Sequence, residues 1–203
     1  RSSAASDVYK RQQLVVISYG SNDMRVVAQL ATYNAHLGTG KKVQGRSRKD
    51  VEQSLITILK DVRKRVPNAL ILTVGYLPLV QEKHCVNLPN MTPFENTRVR
   101  HLREAADQAL TTASKTVARM SEQQWKDNGV EVVSAGISNV PFRQVHGHDL
   151  CAMGHKRFIL NREKTGVRYH YTEPGLSYIA DHVAWKYLSE QLQWSRQMVY
   201  LGR

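Results

Sequence analysis

Three short apolar runs punctuate the chain, and longer stretches with a helical period separate them. Leu14-Val15-Val16-Ile17-Ser18-Tyr19 reads as a buried strand. Ala69-Leu70-Ile71-Leu72-Thr73-Val74 follows Pro67-Asn68 and stops at Gly75. Val130-Glu131-Val132-Val133-Ser134 follows Asn128-Gly129, a helix-stop signal. All three runs are rich in β-branched residues, as buried parallel strands are. Between the first two, Val51, Leu55, Ile58, Leu59, Val62 and Val66 form one helical stripe, with Asp50 placed as N-cap and Gln53 three residues on. Leu102, Ala106, Leu110, Ala113, Val117 and Met120 form a second stripe. A last helix is predicted from Thr172, with Pro174 in its first turn and Leu176, Ile179, Ala180, Val183 and Tyr187 as its apolar face. Strand and helix in alternation predict an α/β domain with a parallel sheet.

Residues 1–12 carry no apolar period and read as a non-native leader, leaving residues 13–203 as the domain. Three parallel strands are few for such a sheet, and the first opens the folded part with nothing before it. The expectation is that upstream strands belong to the same domain and are absent from this chain. No internal repeat or low-complexity tract is present.

Composition narrows the class. The 203 residues suffice for one ordinary domain, and 41% hydrophobic with 23% charged is the balance of a globular protein. No apolar run approaches the length of a membrane span, and none near the start reads as a signal peptide. The formal net charge is +12. Much of it sits in one loop holding Lys41, Lys42, Arg46, Arg48 and Lys49. A basic loop without a nucleic-acid motif reads as a solvated loop, so nucleic acid is not the expected partner. The two cysteines, Cys85 and Cys151, form either one bridge or two buried thiols.

Ligands of α/β sheets bind beyond the carboxyl ends of the strands, so the loops there carry the chemistry. After the first strand comes Gly20-Ser21-Asn22-Asp23. Gly20 lets the chain turn sharply, and the Asn22 amide is either a fixed donor of the kind an oxyanion hole needs or part of a plain turn. His170 precedes the last helix and reads either as a general base facing a cleft or as a surface or capping histidine. His146, His148, Cys151 and His155 have zinc-like spacing, but no second ligand pair accompanies them, and no metal is expected.

Taken in order, these segments resemble the SGNH/GDSL ester hydrolases. Tyr19-Gly20-Ser21-Asn22-Asp23 is similar to the family's Gly-x-Asn-Asp block, and His170-Tyr171-Thr172-Glu173-Pro174-Gly175-Leu176 to its final histidine block. Val74-Gly75-Tyr76-Leu77-Pro78-Leu79 and Gly147-His148-Asp149-Leu150-Cys151 resemble two segments of a secreted branch, and Phe158-Ile159 falls where that branch often has Trp-Ile. The resemblance spans residues 14–190 or so. It implies a three-layer flavodoxin-like sandwich and hydrolysis of carboxylic esters through an acyl-serine intermediate. It makes Asn22 the oxyanion donor, Gly20 the turn of that loop and His170 the base. It also raises the expectation of a disulfide between Cys85 and Cys151, implies secretion, and implies no cofactor. Substrates would be small-molecule, lipid or sugar esters.

The departures from the pattern are specific. No Gly-Asp-Ser motif occurs anywhere, so the chain holds no nucleophile, and the family's glycine block is missing too. Val167 stands where the acid usually lies; the resemblance to those members of the secreted branch that use a backbone carbonyl there implies that the Val167 carbonyl orients the imidazole, giving a Ser–His dyad in place of a triad. Tyr171 replaces the usual proline. The expectation is an ester hydrolase whose present chain is inactive alone. Alternatives are a non-catalytic carbohydrate- or lipid-binding module of the same fold, or a nucleic-acid binder working through the basic loop.

Overall fold

The computed structural model describes residues 13–35, 42–81, 85, 88, 90–130, 135–142, 147–152, 158–159 and 171–201. Strands β1 (Leu14–Ile17), β2 (Leu70–Val74) and β3 (Ile137–Val140) form one sheet in the order β1-β2-β3, with both pairings parallel. The helices are α1 (Val26–Ala35), α2 (Arg48–Arg65), α3 (Pro93–Ala118), α4 (Glu122–Asp127) and α5 (Glu173–Leu201).

Side chains on the two faces of the sheet identify the layers. Thr73 of β2 shares a hydrogen bond with Ser114 of α3, and Asn139 of β3 donates to Thr111 of the same helix. The neighbouring Ser138 points the other way and donates to Glu190 of α5. Alternation along a strand therefore puts α3 on one face and α5 on the other. Helix α2 packs beside α3. The result is a three-layer α/β sandwich. Every residue of β2 is buried, as a central strand covered on both faces requires. The core between β2, α2 and α3 includes Leu55, Leu59, Ile71 and Leu110, all fully buried. Each such side chain contributes roughly 1.5–3 kcal/mol by leaving water.

Several sequence expectations are corrected here. The third described strand is Ile137–Val140, which no apolar run predicted. Val130 is buried, but its N–H closes the end of α4 on the Trp125 carbonyl. Residues 131–134 lie outside the described residues. Strand β3 has only two apolar positions, and its Ser138 and Asn139 spend their side chains on α5 and α3. The N-cap of α2 is Ser47, whose hydroxyl accepts from the Asp50 N–H, so Asp50 sits in the first turn instead. The last helix begins at Glu173, with Thr172 accepting from the Gly175 N–H as its cap. Of its predicted apolar face, Ile179 and Val183 pack on the core while Leu176 and Ala180 are exposed. Two helices lie outside the predicted elements. Helix α4 is set by a Ser121/Gln124 capping box, and α1 buries Val26, Gln29, Leu30 and Tyr33.

Cys85 and Cys151 are disulfide-bonded, tying the segment after β2 to the segment after β3. The same junction carries a carboxylate clamp. Asp149, 2% exposed, accepts from the Gln81 N–H at 2.6 Å and from the Cys151 N–H at 3.1 Å. The Leu150 N–H donates to the Leu79 carbonyl at 3.0 Å.

Candidate functional site

The loop after β1 is shaped by glycine. Gly20 is buried with φ +116°, a conformation that side chains resist, and a Cβ there would sit 3.2 Å from Val51 of α2. The turn it starts is closed by the Met24 N–H on the Gly20 carbonyl and the Val26 N–H on the Ser21 carbonyl. Gly45 lets the loop leading into α2 press on this turn, since a Cβ there would lie 2.7 Å from the Met24 carbonyl oxygen. Arg46 reinforces the contact through its N–H to the Asp23 carbonyl and its guanidinium 3.6 Å from the Asp23 carboxylate. Ser21 is thereby buried, and Asn22 is exposed on the tip of a braced loop. The Asn22 amide makes no hydrogen bond among the described residues, so it is free to meet a ligand.

The loop after β2 is held by a buried ion pair that the sequence reading missed. Arg103 of α3 donates from Nε and Nη2 to the Tyr76 carbonyl, at 3.1 and 2.7 Å, and from Nη2 to the Phe142 carbonyl after β3. It also pairs with Asp107 one turn along the helix. Asp107 accepts from the Tyr76 N–H at 3.0 Å. The only signal in the sequence was an Arg–Asp pair four residues apart, a spacing common on exposed helix faces. Gly75 makes the approach possible, since a Cβ there would meet Asp107 at 3.1 Å.

Burial pushes the Asp107 carboxyl up to about 6, against the opposing pull of Arg103 and the Tyr76 N–H. A carboxyl raised in the folded state supports folding most strongly below its ordinary range. That support is lost as pH climbs through about 6. Asp107→Asn should therefore flatten the pH dependence of stability between pH 4 and 6.5 by about 2 kcal/mol, measured as urea midpoints. An unchanged slope would mean that the carboxyl titrates as it does in water.

Tyr171 lies against the same cluster. Its phenol is pushed up to about 12, mainly by burial, while the Leu77 backbone hydrogen-bonds it and Asp107 and Arg103 act on it. Tyr171 also bridges antiparallel to Ile159, and the Thr172 N–H donates to the Phe158 carbonyl at 2.8 Å. Gly175 lets the first turn of α5 close on this junction, because a Cβ there would lie 2.3 Å from the Phe158 carbonyl oxygen. Tyr171 and the start of α5 are thus fastened beyond the carboxyl end of β2, the strand adjacent to β1. His170 and Val167 themselves lie outside the described residues.

The remaining candidates are placed as follows. His148 stacks on Phe158 with ring centroids 4.2 Å apart, and Cys151 is committed to the disulfide. His146 and His155 lie outside the described residues, and among the described ones no three potential ligands gather. In the basic loop, Arg46 engages Ser54 and the Asp50 carbonyl, and Arg48 engages Gln108. Lys41 lies outside the described residues.

No protein-family model matches the chain, and no curated protein matches it. Its fold does match solved structures. Phospholipase A1 from Streptomyces albidoflavus NA297 aligns with a TM-score of 0.52 at 16% identity, covering 83% of this chain and 66% of that one. An extracellular lipase from Streptomyces rimosus aligns with a TM-score of 0.52 at 16% identity, covering 84% of this chain and 67% of that one. The chain thus spans about two thirds of the length of each. The parallel sheet, its helices on both faces and these neighbours together define the architecture as α/β, a flavodoxin-like three-layer sandwich.

Proposed function

We propose that this chain is the C-terminal part of a secreted carboxylic ester hydrolase whose nucleophilic serine lies on an upstream segment. The observation that supports the reading is that the braced Gly20–Asp23 loop leaves the carboxyl end of β1 while Tyr171, the residue after His170, is anchored beyond the carboxyl end of the adjacent β2. In this reading Asn22 donates to the oxyanion, Gly20 sets the turn and His170 serves as base and then acid. The Val167 carbonyl orients the imidazole. No cofactor is required, and the substrate is a small-molecule, lipid or sugar ester, in keeping with the lipolytic names of the two structural neighbours. The disulfide supports a secreted protein.

Exposed apolar surface supports the upstream segment. Val16 of β1 is 48% exposed on the face that α5 covers elsewhere, and Trp185, Leu188 and Leu192 of α5 are each more than half exposed. Parallel sheets are ordinarily covered on both faces, and these residues would lie under further elements of the same domain. Residues 1–12 are read as foreign to it.

The test uses an active-site-directed fluorophosphonate and an activated ester. The present chain alone should take no label and give no turnover above a buffer blank. Extending it upstream with a Gly-Asp-Ser strand from its own gene should restore both, and His170→Ala in the restored chain should abolish turnover. Labelling of the present chain would refute the assignment of the nucleophile. A restored chain indifferent to His170→Ala would refute the assignment of the base. If the native upstream sequence lacks that serine, the non-catalytic binding module takes over.

A further inference from the structure

A groove of about 670 Å³ runs along the exposed side of α3 toward β3, and no residue of the Gly20–Asn22 loop lines it. Its size falls in the range of small-molecule sites. Its polar groups are arranged with donors to spare. Arg103, 5% exposed, fixes its Nε and Nη2 on the two loop carbonyls and Asp107, and its Nη1 has no partner among the described residues. Arg48 reaches in from α2 and spends one nitrogen on the Gln108 amide oxygen, 3.0 Å away. Lys115 closes the far end with no ion pair among the described residues. The two carboxylates of the lining are already engaged, Asp107 by Arg103 and Glu104 by Arg100. From Arg103 to Lys115 the helix rises roughly 18 Å, so the cations are spaced along the groove instead of clustered.

A second feature asks for a different partner. Asn139 donates its Nδ2 to Thr111, leaving its buried Oδ1 without any hydrogen bond. An acceptor left unpaired this way is costly unless a ligand donor meets it. Pro141 and Phe142 supply an apolar wall beside it.

We infer that this groove binds a short acidic oligosaccharide. Spaced cations suit carboxylate or sulfate groups on successive sugar rings, the Asn139 oxygen suits a sugar hydroxyl, and the apolar wall suits a ring face. A compact anion such as phosphate would use only one of these features. The groove shares Arg103 and Asp107 with the junction beyond β2, but the inference does not use ester hydrolysis, and binding is read separately from activity.

The experiment is an amide NMR titration of the full chain with three probes at matched ionic strength: a galacturonate trisaccharide, neutral maltotriose and inorganic phosphate. The acidic trisaccharide should shift Thr111, Thr112, Lys115 and Asn139 saturably, with at least tenfold higher affinity than either other probe. Arg48→Ala and Lys115→Ala, both at exposed positions, should each weaken it about fivefold while leaving the spectrum folded. Asn139→Leu should weaken acidic and neutral sugars alike. No saturable binding, equal affinity for maltotriose, or equal affinity for phosphate would overturn the inference. Insensitivity to Arg48→Ala and Lys115→Ala would do the same. Tighter binding of a short single-stranded oligonucleotide would reassign the groove to nucleic acid.

Discussion

Arg63→Ala should lower the stability of the domain by about 4 kcal/mol, with Arg63→Met falling between it and the parent. Arg63 is fully buried near the C-terminus of α2, beneath the starts of β2 and β3. Its guanidinium donates to the carbonyls of Pro67 at 3.0 Å, Ala69 at 2.7 Å and Gly136 at 2.9 Å, with a longer contact to Val66. One planar cation therefore gathers the helix end and two strand starts. Burial lowers its pKa to about 10, so holding the charge there carries a desolvation cost, and no carboxylate pairs with it among the described residues. Alanine removes both the apolar stem and the donors. Methionine restores most of the stem, so the gap between methionine and the parent isolates the carbonyl bonds. Urea unfolding followed by circular dichroism reads all three. A methionine variant as stable as the parent would mean that the desolvation cost cancels the hydrogen bonds, leaving Arg63 a filler of space.

Arg63 also shows what the sequence made legible and what it hid. The α2 stripe was visible because Val51, Leu55 and Leu59 recur at helical spacing, and these are its buried residues. The next position on that face is the arginine, which a hydrophobic pattern reads as a polar break. Strand β2 was visible because all its residues are buried and nearly all are apolar. Strand β3 was not, because Ser138 and Asn139 are satisfied by partners far away in sequence, and alternation carries no trace of them. Helix α1 was legible in principle, since its buried Val26, Leu30 and Tyr33 recur at helical spacing, but the role of the buried Gln29, whose side-chain oxygen receives the Val43 N–H, was not.

The candidate site divides in the same way. The turn at Gly20–Asp23 was legible because a glycine before a polar tip has a local conformational meaning, and the φ of Gly20 shows that the turn needs it. The Arg103–Asp107 pair was not legible, because its role lies in carbonyls and an N–H belonging to two other loops. Tyr171 stood out in the sequence only as a departure from the family's proline. In the structure it is a half-buried anchor hydrogen-bonded to the Leu77 backbone. A proline has no side chain able to make that bond.

Breaking the bridge between Cys85 and Cys151 should cost about 4 kcal/mol and lower the melting temperature by about 10 °C. The two cysteines are 66 residues apart in sequence, and a closed loop of that length sharply restricts the unfolded chain. The folded side has other ties at the same junction: Asp149 receives the N–H groups of Gln81 and Cys151, and Leu150 bonds Leu79. Loss of the bridge in a Cys85→Ala/Cys151→Ala double variant should thus act mainly through the unfolded state. The Leu150 amide should stay protected from hydrogen exchange up to the new, lower global stability. Asp149→Ala with the bridge intact should do the opposite, exposing the Leu150 amide locally while lowering the melting temperature less. If the double variant loses Leu150 protection far ahead of global unfolding, the bridge is what holds the native junction together. The carboxylate clamp would then be too weak to keep the two segments joined without it.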